Sequence, residues 1–217
     1  MATSYAKLSN LTTLVANAET GNLLEVIDSH KQEEIIEALK QQPLVVREQV
    51  EEVSVDMWGG FPKVIAEVFP NAAVVIDRFH VMKLVNQRLT KLQQIVGIKA
   101  KGSRFLLLKN SEDLTEEENQ KLQDILSPSP CLRIAYSMKE ELREIYQTST
   151  TVKIGVIRMK KWLAQAQVFY SKVARTITTH LEGICNYFIS HTTSGVMEVS
   201  NNKAKLMGAP RLWFYKF

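Results

Sequence analysis

Val53-Ser54-Val55-Asp56-Met57 and, after a Gly59-Gly60 break, Pro70-Asn71-Ala72-Ala73-Val74-Val75-Ile76-Asp77-Arg78-Phe79-His80-Val81-Met82-Lys83 form the stretch that decides the fold class. Val50 to Asp56 reads as a strand, with Val53 and Val55 on one face and Asp56 at its carboxyl end. Phe61 to Phe69 is a short helix in which Val64, Ile65 and Val68 recur at helical spacing. Pro70-Asn71 turns the chain, and Ala72 to Ile76 is an unbroken apolar run, as suits a parallel strand covered on both faces. That run ends in Asp77, and a helix follows from about Phe79 to Ile95, with Met82, Val85, Leu89 and Leu92 at helical spacing. The order β-α-β-α predicts two parallel strands joined by a right-handed crossover. Open sheets of this kind bind ligands outside the carboxyl ends of their strands, which puts Asp56 and Asp77 in comparable positions at one edge.

Upstream, Leu11 to Val15 and Leu23 to Ile27 are β-prone runs flanking Ala18-Glu19-Thr20-Gly21-Asn22, a β-hairpin pattern. A helical period over Gln32 to Lys40 ends before Pro43. Downstream the chain reads as helical. Thr115 and Glu118 make a capping box that opens a helix to about Leu126, stopped by Ser127-Pro128-Ser129-Pro130. Further helices are predicted over Leu132–Gln147, Val156–Ser171 and Val173–Ser190. The expected organisation is an α/β part over residues 1–110, a helical insertion over 111–190, and a terminal segment over 191–217.

The 217 residues are enough to bury a core, and the 45% apolar and 23% charged content is that of a globular domain. No apolar run approaches the roughly 18 residues of a membrane span, and MATSYAKLSN lacks the basic-then-apolar pattern of a secretory signal. Cys131 and Cys185 lie far apart, outside any CxxC pattern, and read as buried thiols in a reducing cytoplasm. The net charge of +4 fits a nucleic-acid partner only weakly. Its distribution says more: Lys83, Arg88, Lys91, Lys99, Lys101, Arg104 and Lys109 follow one another with no acid between them. Such a stretch either tracks a phosphate backbone or forms a solvated helix face.

The Asp-Arg-Phe-His-Val block at residues 77–81, behind the Pro-Asn-Ala turn, resembles the ISL-three family of bacterial insertion-sequence DDE transposases. Ser194-Gly195-Val196-Met197-Glu198, with Asn201-Asn202 and Lys205, is similar to that family's final catalytic helix. The resemblance spans about Leu14 to Met207. It implies a ribonuclease-H-like α/β fold: a mixed sheet with flanking helices and a helical insertion, here with the first strand missing. It also implies metal-dependent cleavage and transfer of DNA strands. Two divalent cations about 3.5–4 Å apart can activate the attacking oxygen and stabilise the leaving one. Magnesium favours oxygen ligands, so Mg2+ or Mn2+ is the expected cofactor.

By that resemblance Asp56 corresponds to the family's second catalytic acid and Glu198 to its third, both as metal ligands. Asn201, Asn202 and Lys205 share a helical face with Glu198 and would lie beside the DNA backbone. Asp77 and His80 either support the active site or organise the start of a helix. Arg78, Lys83 and Arg88 are phosphate-contact candidates or solvated surface. The implied partners are DNA, as transposon ends and target, and a full-length transposase or a second copy of the chain, with no membrane. The family's first acid is expected on a strand just before the hairpin, yet nothing from Met1 to Asn17 is acidic. The stretch Gly208 to Phe217 also departs from the family pattern. The expectation is therefore a domain truncated at both ends and inactive in cleavage, with an open sheet edge beside the hairpin. The alternative is a non-catalytic remnant that binds DNA or transposase and regulates it.

Overall fold

The computed structural model describes residues 13–20, 22–55, 57, 60–191 and 211–216, with the backbone alone for 211–215. Two compact units divide them: residues up to 77 together with those from 182, and residues 78–181.

In the first unit the expected hairpin is present. Strand β1 (Thr13–Asn17) pairs antiparallel with β2 (Leu23–Ile27). Asn17 ends β1 because its side-chain oxygen accepts the amides of Glu19 and Thr20 at 2.9 and 2.7 Å, an Asx turn that competes with further strand. Leu14, Val15 and Ala16 are buried, whereas Leu23, Leu24 and Val26 are exposed, because β2 is the outermost strand of the sheet. Helix α1 (Gln32–Lys40) buries Ile35, Ile36 and Leu39, the stripe its period predicts. A single turn, α2 (Leu44–Arg47), follows Pro43, and the Arg47 guanidinium donates to the Val68 carbonyl at 2.7 Å.

The decisive stretch folds as read. Strand β3 (Glu52–Val55), helix α3 (Phe61–Val68) and strand β4 (Ala73–Ile76) follow in order. The strands are parallel, with Val53 opposite Val74 and Val55 opposite Ile76. Phe61, Val64, Ile65 and Val68 are all buried in α3, each worth roughly 1.5–3 kcal/mol relative to exposure.

The expected open edge beside the hairpin is closed. Strand β5 (Arg211–Lys216) lies between β1 and β3, giving the sheet order β2-β1-β5-β3-β4. It runs parallel to β1, with Thr13 opposite Arg211 and Asn17 opposite Tyr215, and antiparallel to β3, with Ser54 opposite Phe214. The run Leu212-Trp213-Phe214-Tyr215 has the aromatic content of a strand, so the segment read as a divergent tail supplies a central one.

The second unit is helical. Helix α4 (Arg78–Ile95) buries Val81, Val85, Leu89 and Gln93, leaving Met82 and Leu92 half-buried beside that stripe. Gly97 and Gly102, at φ of 76° and 79°, turn the chain into α5 (Ser103–Leu108). Helix α6 (Glu116–Leu126) opens with the predicted capping box: the Glu118 amide donates to Thr115 Oγ1, and the Thr115 amide donates to Glu118 Oε2. Helix α7 (Pro130–Thr148) follows its Ser129 cap. Cys131, in its first turn, is exposed rather than buried; Cys185 is buried. Helix α8 (Val152–Thr179) runs through the boundary that the sequence reading placed at Ser171–Val173, and the single helix expected over Val173–Ser190 is instead divided at His180. A kink lies beside the expected boundary, with Tyr170 at φ −123° and ψ 28°. The Arg88 side chain donates to the Phe169 carbonyl at this point, a side-chain insertion of the kind that bends helices. Trp162 and Tyr170 are buried, and each polar tip is satisfied by an α7 carbonyl, Met138 at 2.8 Å and Ala135 at 2.7 Å.

Candidate active-site edge and nucleic-acid surface

At the carboxyl edge of the sheet, Val55 and Ile76 are register partners in parallel strands. Asp56 and Asp77 are the next residues in sequence. Asp77 is 5% exposed, and its amide donates to the Val55 carbonyl at 3.0 Å, which extends the ladder one residue past β4. Asp56, Glu198, Asn201, Asn202 and Lys205 lie outside the described residues.

Helix α9 (Leu181–Ser190) packs on β3 and β4 through three close contacts. A Cβ on Gly183 would stand 2.9 Å from Ile76 Cγ1, so this position admits only glycine without a shift. Asn186 donates its amide to the Val74 carbonyl at 2.9 Å. Ser190 donates its hydroxyl to Glu52 Oε2 at 2.5 Å. Glu52 is a carboxylate buried on a central strand, and its Oε1 has no hydrogen-bond partner among the described residues. Sequence reading passed over it; the signal was the second of two acids, Glu51 and Glu52, inside the valine-rich run Val50–Val55.

The remaining candidates belong to the helical unit. His80 meets the Phe79 ring edge-on at 5.6 Å. The Arg78 guanidinium lies over the Tyr146 ring at 5.4 Å, a cation–π contact inside the unit. Arg88 gives its Nε–H to Phe169 at 2.8 Å. Lys83 is exposed and lines a concave face between α4 and α5, across from Arg104. Neither Lys83 nor Arg104 forms an ion pair among the described residues, whereas Lys109 at the end of the basic stretch pairs with Glu118 at 2.5 Å.

A buried ionic cluster fixes α5 against α7. The Lys139 ammonium, 1% exposed, donates to the carbonyls of Leu107 and Lys109 at 2.8 and 3.1 Å and contacts Glu140 at 2.5 Å. Arg143 bridges Glu140 and Glu112, both at 2.8 Å. Burial, the largest influence, pulls the Lys139 pKa down against the opposing pull of Glu140. Burial also acts most strongly on Glu140, upward. The hydrogen bond and charge of Lys139, the Ser111 hydroxyl and Arg143 together outweigh it and hold the carboxyl below its ordinary 4.5. Both partners of one pair thus shift down. The carboxylate direction is the firmer, because it faces two cations while Lys139 has one counter-charge. Tyr136 is pushed up to about 12 by burial and then by the Glu140 charge. The cluster has the chemistry of a structural staple, with each charge turned on another.

Among the described residues no group of three or more His, Cys, Asp and Glu side chains has metal-holding geometry, and no helix is long and apolar enough to cross a membrane. Comparison with known proteins places these features in a family. A family model of ISL3-type DDE proteins, described as transposase, matches residues 2–209. A transposase for insertion sequence element IS1557 of Mycobacterium tuberculosis is 35% identical over 112 residues, covering 49% of this chain and 24% of that protein. A transposase for insertion sequence element IS1001 of Bordetella parapertussis is 22% identical over 185 residues, covering 77% of this chain and 45% of that protein. The chain thus spans less than half the length of these curated relatives. No solved structure matches it. With a family match over nearly its whole length, the chain belongs to the ISL3 family of DDE transposases.

Proposed function

We propose that this chain is part of the DNA-handling catalytic core of a cytoplasmic insertion-sequence transposase, and that by itself it binds DNA without cutting it. The observation that carries the reading is the register of β3 and β4. Asp56 and Asp77 each follow a residue of one parallel pair, Val55 and Ile76, at the edge where such sheets bind ligands. Asp56 and Glu198 are the residues we assign to hold a divalent cation, and their all-oxygen donor chemistry fits Mg2+ or Mn2+. Bound there, the cation would neutralise charge on the scissile phosphate and favour an attacking hydroxide or 3′-oxyanion. Asp77, buried and fixed by its amide to Val55, orients that edge; His80, three residues on in the Asp-Arg-Phe-His-Val block, is assigned a supporting role. Asn201, Asn202 and Lys205, three, four and seven positions after Glu198 in sequence, are assigned to the DNA backbone. Lys83 serves the backbone as well. Arg78 and Arg88 act chiefly within the helical unit, held by Tyr146 and Phe169.

The non-catalytic part of the reading rests on the absence of any acid from Met1 to Asn17, where the resemblance looks for the first carboxylate. A regulatory role follows from it, in which the chain occupies DNA or associates with a full-length transposase or a second copy. The test is incubation with supercoiled plasmid and Mn2+, alongside a gel-shift titration in salt. Retarded but uncut plasmid, with affinity falling steeply as salt rises, is the expected result. Nicking that disappears in Asp56→Ala would overturn the non-catalytic part, and plasmid that is neither bound nor cut would overturn the DNA-handling reading.

A further inference from the structure

We infer that the concave face between α4 and α5, built from the helical unit alone, is a binding site for single-stranded DNA. Lys83, Asn86, Gln87, Thr90 and Gln94 are three or four residues apart, or adjacent, along one face of α4, and all of them line it. Phe79 and Met82 give one end an apolar floor, and Arg104 and Leu108 of α5 form the opposite wall. No acidic residue lines this surface.

Two observations set it apart from a solvated helix face. Its two cations, like Lys91, Lys99 and Lys101, have no ion-pair partner among the described residues, but they alone of these line a shared concavity that holds no acid. An uncompensated pair of cations in a concavity attracts a ligand that brings its own negative charge. In addition, the side-chain oxygen of Asn86 is enclosed yet has no hydrogen-bond partner among the described residues. An enclosed acceptor of this kind calls for a donor, and the exocyclic amino groups of adenine, cytosine and guanine are donors. Phosphates on Lys83 and Arg104, base edges on the amides and a base face on Phe79 satisfy the whole lining at once.

The face is also built in advance. Gln93 donates to both Ser103 Oγ and the Ile98 carbonyl, at 2.7 and 3.1 Å, which locks the α4–α5 turn. Lys139 holds the other end of α5 through Leu107 and Lys109. From Phe79 to Gln94 the helix is about 22 Å long at 1.5 Å per residue, room for roughly six stacked nucleotides. A base face can stack on the exposed Phe79 ring only when that base is out of a duplex, so the occupant is an unpaired strand. The choice of DNA over RNA rests on the DNA-handling reading above.

The experiment is fluorescence anisotropy of the full chain with a labelled single strand of about 12 nucleotides and a duplex of the same length. Single-strand binding is expected to exceed duplex binding. Lys83→Ala with Arg104→Ala should weaken single-strand binding by about ten-fold or more and lower the salt slope by about 1.4. Asn86→Ala should weaken it by a smaller factor and leave the salt slope unchanged. Lys99→Ala with Lys101→Ala removes the same charge from exposed positions off this face and should change binding by less than about three-fold. Unchanged thermal melting would certify each variant as folded. Equal losses from the two lysine-containing pairs, or none from the first, would overturn the site while leaving DNA handling intact. Duplex preferred over single strand would overturn the assignment of the occupant. No binding of either DNA by the unaltered chain would overturn both readings.

Discussion

Glu140 is held below its ordinary pKa of 4.5 in the folded chain, so its stabilising effect is complete above that value. As pH falls through 4.5, the unfolded chain takes up the proton first, and the contribution is lost on approaching the lower folded value. Urea titrations across this window should therefore show stability falling on the acid side, and Glu140→Gln should flatten that limb. At neutral pH the same substitution should cost about 3 kcal/mol, because it leaves Lys139 buried without its counter-charge. A variant as acid-sensitive as the parent would show that other carboxylates govern the limb. Arg88 makes a complementary case. Its Nε–H satisfies the Phe169 carbonyl beside the α8 kink, so Arg88→Ala should cost roughly 1.5–3 kcal/mol in urea unfolding. If Arg88 were instead free to contact phosphate, stability would hold and DNA affinity would fall.

Whole elements depend on such single positions. Gly183 lets α9 approach β4 closely, and Gly183→Ala should destabilise by about 1–3 kcal/mol through the overlap with Ile76. A thermal midpoint at or above that of the parent would mean that the helix can shift at little cost. The elements most legible in the sequence were those whose signal is local. The β3-α3-β4 run and the Thr115 capping box were read nearly residue for residue, since periodicity and capping chemistry sit within a few positions. Two features have a cause that is distant in sequence. The helix boundary expected at 171–173 falls beside the α8 kink at Tyr170, but the arginine from α4 that accompanies the bend leaves no local trace. Strand β5 has a strand's composition, but its partners β1 and β3 cannot be inferred from Leu212-Trp213-Phe214-Tyr215 alone. The candidate site divides the same way. Asp77 and Lys83 stood out by sequence, whereas the ties of Arg78 to Tyr146 and of Arg88 to Phe169, and the apposition of Arg104 to Lys83, exist only once helices have packed.

For the whole chain, the sheet unit is assembled from two separated stretches, while the helical unit is continuous from residue 78 to 181. Among the described residues, strand β5 is the one link in backbone pairing between β1–β2 and β3–β4. Phe214→Pro removes an amide from a strand paired on both sides and should cost about 3 kcal/mol or more. Tertiary signals of the sheet should melt earlier, while far-UV helical signal from residues 78–181 persists. An unaltered melting curve would argue against β5 as the central strand.

That arrangement also sets a timetable for folding. The strand in the middle of the sheet is the farthest along the chain, so its contacts with β1 carry nearly the largest sequence separation the molecule allows. Contacts of this order are slow to form, whereas the helices of residues 78–181 close over short loops. In refolding, helical signal should therefore precede the closure of the sheet. Until Arg211–Lys216 docks, β1 and β3 each present an unsatisfied strand edge. That kinetic interval, rather than the finished fold, is where this chain is most exposed to association with its own copies.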